Sequence, residues 1–398
     1  MNECIHKHVR RVLPRNWEKA LQDPRRYARR WSFSRVVCGV MDAMLSGCRD
    51  LREFEFWSRL SGERISDTTT WDLLVQIDPK PLEAVIAKGV KGASRSHELD
   101  NSELPIRLTV VDGKSILVTN YEVDNYSINR CQKGCRKFVT TALRAFHASS
   151  TVKLLMGQER VPQGTNERGA FKSFLDKLHM LYGRTNLLEV FSLDAGITSI
   201  KNAQYIIDKG CHYILALKDA RSRRATQVAI ELLGQMECAT KKEKEYINGR
   251  CIIRRLYRCA APVMDGWMHA MELWRVEKET VTISTGKQII ENHYYITSLP
   301  KERLTDSQVL RTIRLHWSIE NNANWVLDTA WSEDTRPWCS QALEFLSLLR
   351  ILAYNVIARL KARRLRSAKK LQMTWKETLE LVRLSLFPPQ TSLVNACL

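Results

Sequence analysis

The sequence has no apolar run that approaches the roughly 18 to 20 residues needed to cross a bilayer. Its basic opening, Met1 to Arg11, is followed by no apolar h-region. A soluble, non-exported, cytoplasmic protein with no membrane partner is therefore expected. Cysteine occurs 11 times, an odd number without regular spacing, which points to reduced thiols and away from a disulfide frame. No histidine set suited to zinc is evident, and no Tyr or Ser sits in an arginine-rich constellation that would mark a covalent recombinase nucleophile. Acidic residues are in deficit: 43 Asp and Glu against 62 Lys and Arg leave a net charge of +19 and a pI near 9.6. The bland reading is a solvated basic surface, but an excess of this size favours a polyanionic partner through counterion release, nucleic acid first. The rest of the composition, 44% hydrophobic and 26% charged, is ordinary for a globular protein, and 398 residues allow two or three domains with a real core.

Residues 1–31 interleave Arg10, Arg11, Arg15, Arg25, Arg26, Arg29 and Arg30 with Trp17, Tyr27 and Trp31. That mixture suits phosphate contact with stacking, or equally a solvated basic helix. Val36, Val37, Val40, Met41, Met44 and Leu45 form a 3.6-period stripe that predicts a helix within 32–60, with a second from Asp50 to Leu60. Ser66 and Asp67 cap an expected helix from about Thr69 to Gln76, which Asp78-Pro79 stops. Short helices in a basic setting predict an N-terminal DNA-binding domain over 1–95. The Gly, Ser and charge of residues 90–104 predict a linker into the next domain.

From Pro105 the periodicity becomes that of strands, expected at 106–112, 139–147 and 152–158 in antiparallel order. Between them Cys131 and Cys135 have a spacing found in zinc sites but no second pair nearby, so a metal site and a plain loop both stand. After Asn166-Glu167, the array Phe171, Phe174, Leu175, Leu178 and Leu181 predicts a helix packed on the sheet. Leu187 to Leu193 reads as a buried strand ending on Asp194-Ala195-Gly196. A helix from Ser199 to Lys209 follows, closed by Gly210, and then a strand from His212 to Leu217 that ends on Lys218. Strand ends of such β-α-β units are where open α/β sheets keep their sites. Residues 240–298 predict an antiparallel insertion, with turns at Gly249, Gly266 and Gly286, polar enough to be a surface rather than a core. Thr305-Asp306-Ser307-Gln308 is a capping box, and its helix carries Val309, Ile313 and Trp317 on to Glu320 and Asn324, which predicts Glu320 on the buried face. After Asp328, Glu333 and Asp334 come an apolar helix from Leu343 to Leu360 and a basic run from Lys361 to Lys370 with six Lys or Arg in ten residues. A last amphipathic helix from about Thr374 to Phe387 completes a C-terminal tail over 361–398.

Three acids stand out. On a strand, Ile106, Leu108, Val110 and Asp112 share one face, so an acid closes an apolar row, although Asp112-Gly113 also suits a simple turn. Asp194 closes a second strand, and Glu320 lies on a packing helix. Three carboxylates without histidines are hard oxygen donors suited to Mg²⁺ or Mn²⁺. Two such ions about 3.5 to 4 Å apart can activate a water or a 3′-hydroxyl for in-line displacement at phosphorus. On a basic protein the fitting substrate is a DNA phosphodiester.

The residues resemble the DDE transposases of bacterial insertion sequences, in the branch that includes the H-repeat-associated proteins. The resemblance rests on Val111-Asp112-Gly113-Lys114-Ser115, Leu155-Met156-Gly157-Gln158 and Asn166-Glu167, on Leu193-Asp194-Ala195 with Gly210, Tyr213 and Leu215-Ala216-Leu217-Lys218, and on His316-Trp317, Ile319-Glu320-Asn321, Trp325-Val326-Leu327-Asp328 and Glu333-Asp334. It covers about residues 20 to 360. It implies an α/β fold: an RNase H-like mixed sheet flanked by helices, as a catalytic domain over 105–360, with a β insertion at about 240–298 and a helical N-terminal domain. It makes Asp112, Asp194 and Glu320 the metal-binding catalytic triad, holding two Mg²⁺ or Mn²⁺ ions. The implied function is binding of terminal inverted repeats, metal-dependent strand cleavage and strand transfer. Its partners would be double-stranded DNA, as element ends and target, and a second copy as a homodimer on DNA at the nucleoid. Lys114, Lys218, His316 and Arg336 are candidates for phosphate contact.

The sequence departs from the family pattern in three places. Lys218 is followed by Asp219-Ala220-Arg221 where Gly-Asn-Gln is common, Lys114-Ser115-Ile116-Leu117-Val118 replaces Gly-Lys-Ser-Leu-Arg-Gly, and Ala323-Asn324-Trp325 replaces Leu-His-Trp. The alternative reading is a decayed or domesticated copy that only binds DNA.

Overall fold

The computed structural model describes residues 2–27, 30–100, 104–118, 128–130, 138–218, 223–335, 338–339, 341–367 and 373–387. Five helices come first: α1 (Asn2–Val12), α2 (Phe33–Leu45), α3 (Leu51–Leu60), α4 (Asp67–Leu74) and α5 (Lys80–Arg95). Ser32, Asp50 and Ser66 cap α2, α3 and α4 by accepting from the backbone N–H of Arg35, Glu53 and Thr69. The predicted stripe of α2 is buried. Among the described residues of the expected linker over 90–104, packed structure stands where a loop was expected. The segment's first residues complete α5, and Val90, Ala93, Leu99 and Leu104 are buried, because small residues there allow close helix packing that composition alone reads as a loop.

The sheet follows. β1 (Leu108–Val118), β2 (Ile128–Arg130), β3 (Phe138–His147) and β4 (Leu154–Arg160) precede α6 (Glu167–Tyr182), and β5 (Val190–Leu193), α7 (Ile200–Asp208) and β6 (His212–Leu217) make the predicted β-α-β unit. After α8 (Arg223–Gly234) come β7 (Lys241–Ile247), β8 (Arg250–Ala260), β9 (Glu272–Thr282) and β10 (Gln288–Thr297). All belong to one mixed ten-stranded sheet in the order β2-β3-β1-β5-β6-β10-β9-β8-β7, with β4 on β3. β1 runs antiparallel to β3 and parallel to β5, and β5 runs parallel to β6. Because β10 pairs antiparallel with β6, the strands expected as a polar surface extend the main sheet. Leu256, Leu273, Trp274, Val276, Tyr295 and Ile296 at their inner ends are core, which corrects that expectation, whereas the far ends are exposed.

The chain then forms α9 (Asp306–His316), a π-helical turn (Ile319–Asn324), α10 (Trp325–Trp331), α11 (Leu343–Ser367) and α12 (Trp375–Leu386). The Thr305 capping box is present in full. α11 packs on β4 and also on α1, α2, α5 and α12, so it joins the sheet to the N-terminal helices. A buried Arg359–Glu98 pair at 2.7 Å and a hydrogen bond from Trp331 Nε1 to the Met44 carbonyl at 2.6 Å reinforce that junction. One apolar core runs from Ile5 to Phe387. No helix among the described residues is long and apolar enough to cross a membrane.

Candidate active site

The register of the central strands sets the first two acids side by side. Parallel pairing of β1 with β5 ends at Val111↔Leu193, so Asp112 and Asp194 are each the next residue after the last shared rung. β1 does not end there. It runs on to Val118 against β3, and Gly113 is a strand residue rather than the turn that Asp-Gly allows. The strands part at these two residues, and a half-buried carboxylate stands on each side of the fork. Asp112 Oδ1 accepts the Gly113 N–H at 2.8 Å, and Asp194 Oδ1 accepts the Ile197 N–H at 3.0 Å.

Glu320 reaches the fork from the π-helical turn. Extending a 3.6-residue period beyond α9 predicts it buried and Trp317 buried with it; instead both are exposed, with Trp317 43% accessible, and His316 is buried. Trp317 caps the end of α9, and the wider π turn over Ile319–Asn324 changes the phase of the helix from Glu320 on. Residues 316, 320, 324 and 328, spaced by four, thereby face the strands in succession. His316 Nδ1 pairs with Ser192 Oγ of β5 at 2.9 Å, two residues before Asp194. Asn324 Nδ2 donates to Asp112 Oδ2 at 3.3 Å, and Lys114 Nζ binds Asp328 Oδ1 at 2.6 Å.

The acids repel one another. Burial, the charges of Asp194 and Glu320 and, after the opposing Gly113 hydrogen bond, the charge of Glu167 raise Asp112 from 3.8 to about 7. Burial and Asp194 also raise Glu320. Among the described residues, no three His, Cys, Asp or Glu side chains converge tightly enough to hold a metal ion as they stand. The donor set nevertheless fits a hard divalent cation. All the donors are carboxylate oxygens, and burial together with the neighbouring acids raises the proton affinity of Asp112, a penalty on its charge that a bound cation relieves.

Sequence reasoning quoted Glu167 among the motifs of the resemblance and placed it before α6, but gave it no part in this group. A Cβ built on Gly113 would collide with Glu167 Oε1, and one on Gly196 would lie 3.5 Å from Glu167 Oε2. The glycines after Asp112 and Asp194 leave the space that this fourth carboxylate enters. The signal was two glycines within two residues of the acids.

A second group it missed lies beneath. Arg144 sits directly opposite Asp112 across β1 and β3, yet its guanidinium binds Glu333 at 2.8 and 2.9 Å, with Ser347 and Gln158 around it. Arg350 lies 4.0 Å from the same carboxylate, and all three charged side chains are fully buried. Burial works to raise Glu333, but the charge and hydrogen bonds of Arg144 and the charge of Arg350 hold it below the usual range.

Of the candidates for phosphate contact, Lys114 is buried in its pair with Asp328 and His316 lies behind the fork, where burial pushes it down to about 4 and keeps it neutral near pH 7. Both serve as struts between helix and strands. Lys218 is exposed at the end of β6. Arg336, Cys131 and Cys135 lie outside the described residues.

The family model of the Transposase DDE domain matches residues 103–356. The H repeat-associated protein YhhI of Escherichia coli is 25% identical over 260 residues, 62% of this chain and 65% of its own length. Protein YbfL of Escherichia coli is 27% identical over 231 residues, 54% of this chain and 58% of its own. YncI of Escherichia coli is 23% identical over 304 residues, 73% and 70% respectively. YhhI and YncI carry the word transposase in their names, and the chain spans just under two thirds of YhhI. A solved piggyBac transposase synaptic complex with hairpin DNA aligns with a TM-score of 0.47 at 10% identity, over 99% of this chain and 81% of that one.

Proposed function

From the premise that this chain belongs to the DDE transposase family and is similar to an H-repeat-associated protein, we propose that it is the transposase of a bacterial insertion sequence. It binds the terminal inverted repeats, cleaves DNA strands and joins the new ends to target DNA. The observation that carries this reading is the fork: two carboxylates follow the last shared rung of neighbouring parallel strands, and a third on the π turn is close enough to raise the proton affinity of the first. We read β3-β1-β5-β6 as the RNase H-like part of the sheet and β7 to β10 as the insertion before Glu320.

In this reading Asp112, Asp194 and Glu320 are the catalytic triad and hold two Mg²⁺ or Mn²⁺ ions. Bound there, the ions supply a nucleophilic oxygen and neutralise charge developing at the phosphorus. The chain does the rest. The backbone N–H groups of Gly113 and Ile197 orient the two Asp carboxylates, and the Ser192–His316 pair anchors the end of α9 beside Asp194. Exposed Lys218 and, from sequence, Arg336 contact phosphates. The basic N-terminal helices contribute end binding, and two copies act together in the cytoplasm at the nucleoid, because joining two ends requires both to be held.

Asp112→Asn separates chemistry from binding. It should abolish nicking of a duplex carrying the element end while a gel shift of the same duplex stays within about twofold of wild type. Loss of binding in step with cleavage would instead make Asp112 a structural residue.

A further inference from the structure

We propose that Asn324 is a positioning residue for the carboxylate site: a clasp that fixes both the orientation of Asp112 and the place of the turn that carries Glu320. The inference rests on the reading of these acids given above.

The hydrogen-bond chemistry at Asn324 admits one arrangement. The Arg144 guanidinium on one side only donates, which fixes the amide oxygen toward it whatever the protonation of Asp112 on the other. The amide therefore turns its NH₂ to Asp112 Oδ2, at 3.3 Å, and its oxygen to Arg144 Nη1, at 3.4 Å. Arg144 cannot follow Asp112 if that carboxylate moves, because Glu333 holds it bidentately in a fully buried pocket. Asn324 thus ties Asp112 to an immobile point, and the Gly113 N–H holds the other oxygen. It also lets a fixed positive charge sit across the strand from Asp112 without forming an ion pair that would occupy both oxygens.

The same side chain holds Glu320. Asp112 and Lys114 share one face of β1, and Asn324, the last residue of the π turn, lies four residues before Asp328 of α10. The contacts Asp112–Asn324 and Lys114–Asp328 are two rungs that lock helix to strand. On the far side, the Tyr354 hydroxyl donates to the Asn322 carbonyl at 2.9 Å. Glu320 is exposed and sits within the turn these contacts pin, so its position depends on them.

The test uses the full chain as wild type, Asn324→Ala, Asn324→Asp and Asn324→His. Asp keeps the volume and the Arg144 contact but loses the donor to Asp112; His restores a donor and an acceptor. Hydrogen exchange of residues 319–331 is measured without metal or DNA, alongside nicking of the element-end duplex and the thermal midpoint of each protein. The clasp predicts faster exchange in this segment and about a hundredfold slower nicking for Ala and Asp, with near wild-type behaviour for His. Wild-type exchange in Asn324→Ala would overturn it, since both contacts are missing there and no charge is added. A wild-type protein that fails to nick would count against the proposed function, while the exchange data would still decide the clasp.

Discussion

Two carboxylates in this molecule, Asp112 and Glu333, are joined through the same arginine and asparagine and are treated in opposite ways. Glu333 is fully buried and surrounded by Arg144, Arg350 and Ser347, and its pKa is held low. Asp112, one asparagine away, is pushed up to about 7 by burial and by the charges of Asp194, Glu320 and Glu167 that it faces. The fold has positive charge at hand to neutralise Asp112, because Arg144 lies across the strand from it, yet commits that charge to Glu333. A paired buried acid serves structure, whereas a set of acids left facing one another is kept for a ligand that brings positive charge.

The comparison can be broken most severely from the paired side. Glu333→Ala leaves Arg144 and Arg350 buried without their counter-charge, and we expect a loss of about 3–5 kcal/mol in urea unfolding. A loss below about 1 kcal/mol would remove the contrast between the two sites.

From the unpaired side the effect is smaller and opposite in sign. Asp112 binds its proton in the fold up to about pH 7, against 3.8 for the ordinary group, so the native state loses stability as pH rises through that window. Asp112→Asn removes this loss. Metal-free Asp112→Asn should therefore gain on wild type from about pH 4 to about pH 7 and then level off, by on the order of 1–3 kcal/mol. His147 and His316, which burial pushes down to about 4, cost stability in acid in both proteins and cancel in the difference. Mg²⁺ should close the gap at pH 8 by stabilising wild type alone.

The smallest effect sharpens the site's membership. Gly113→Ala places a methyl group where Glu167 Oε1 lies, and should cost about 1 kcal/mol through overpacking. Adding Glu167→Ala should recover that cost, a non-additivity that unfolding curves of the four proteins would show.

How much of this the sequence revealed follows from the range of each interaction. The β-α-β unit whose first strand ends on Asp194 was legible because buried strands and a capped helix leave local patterns, and the capping box at Thr305 located α9. The exposure of Glu320 was misread because a 3.6-residue period was carried through a turn that is not α-helical. The continuation of β1 beyond Asp112 depends on pairing with β3, which no pattern in 113–118 discloses. Arg144 and Glu333 are 189 positions apart, and nothing local marks either as the other's partner. Glu167 looked like an ordinary acid in the first turn of a helix, and only the glycines at 113 and 196, read together, pointed to its neighbours.

The most direct test of the central claim is cleavage of an end-labelled duplex that carries the element's own flanking end sequence, with Mg²⁺, with Mn²⁺ and with EDTA, by wild type and Glu320→Gln. Nicks at the element boundary should need the divalent ion and vanish in Glu320→Gln. DNA that both proteins retard in a gel and neither cuts would contradict it and leave a protein that binds DNA without acting on it.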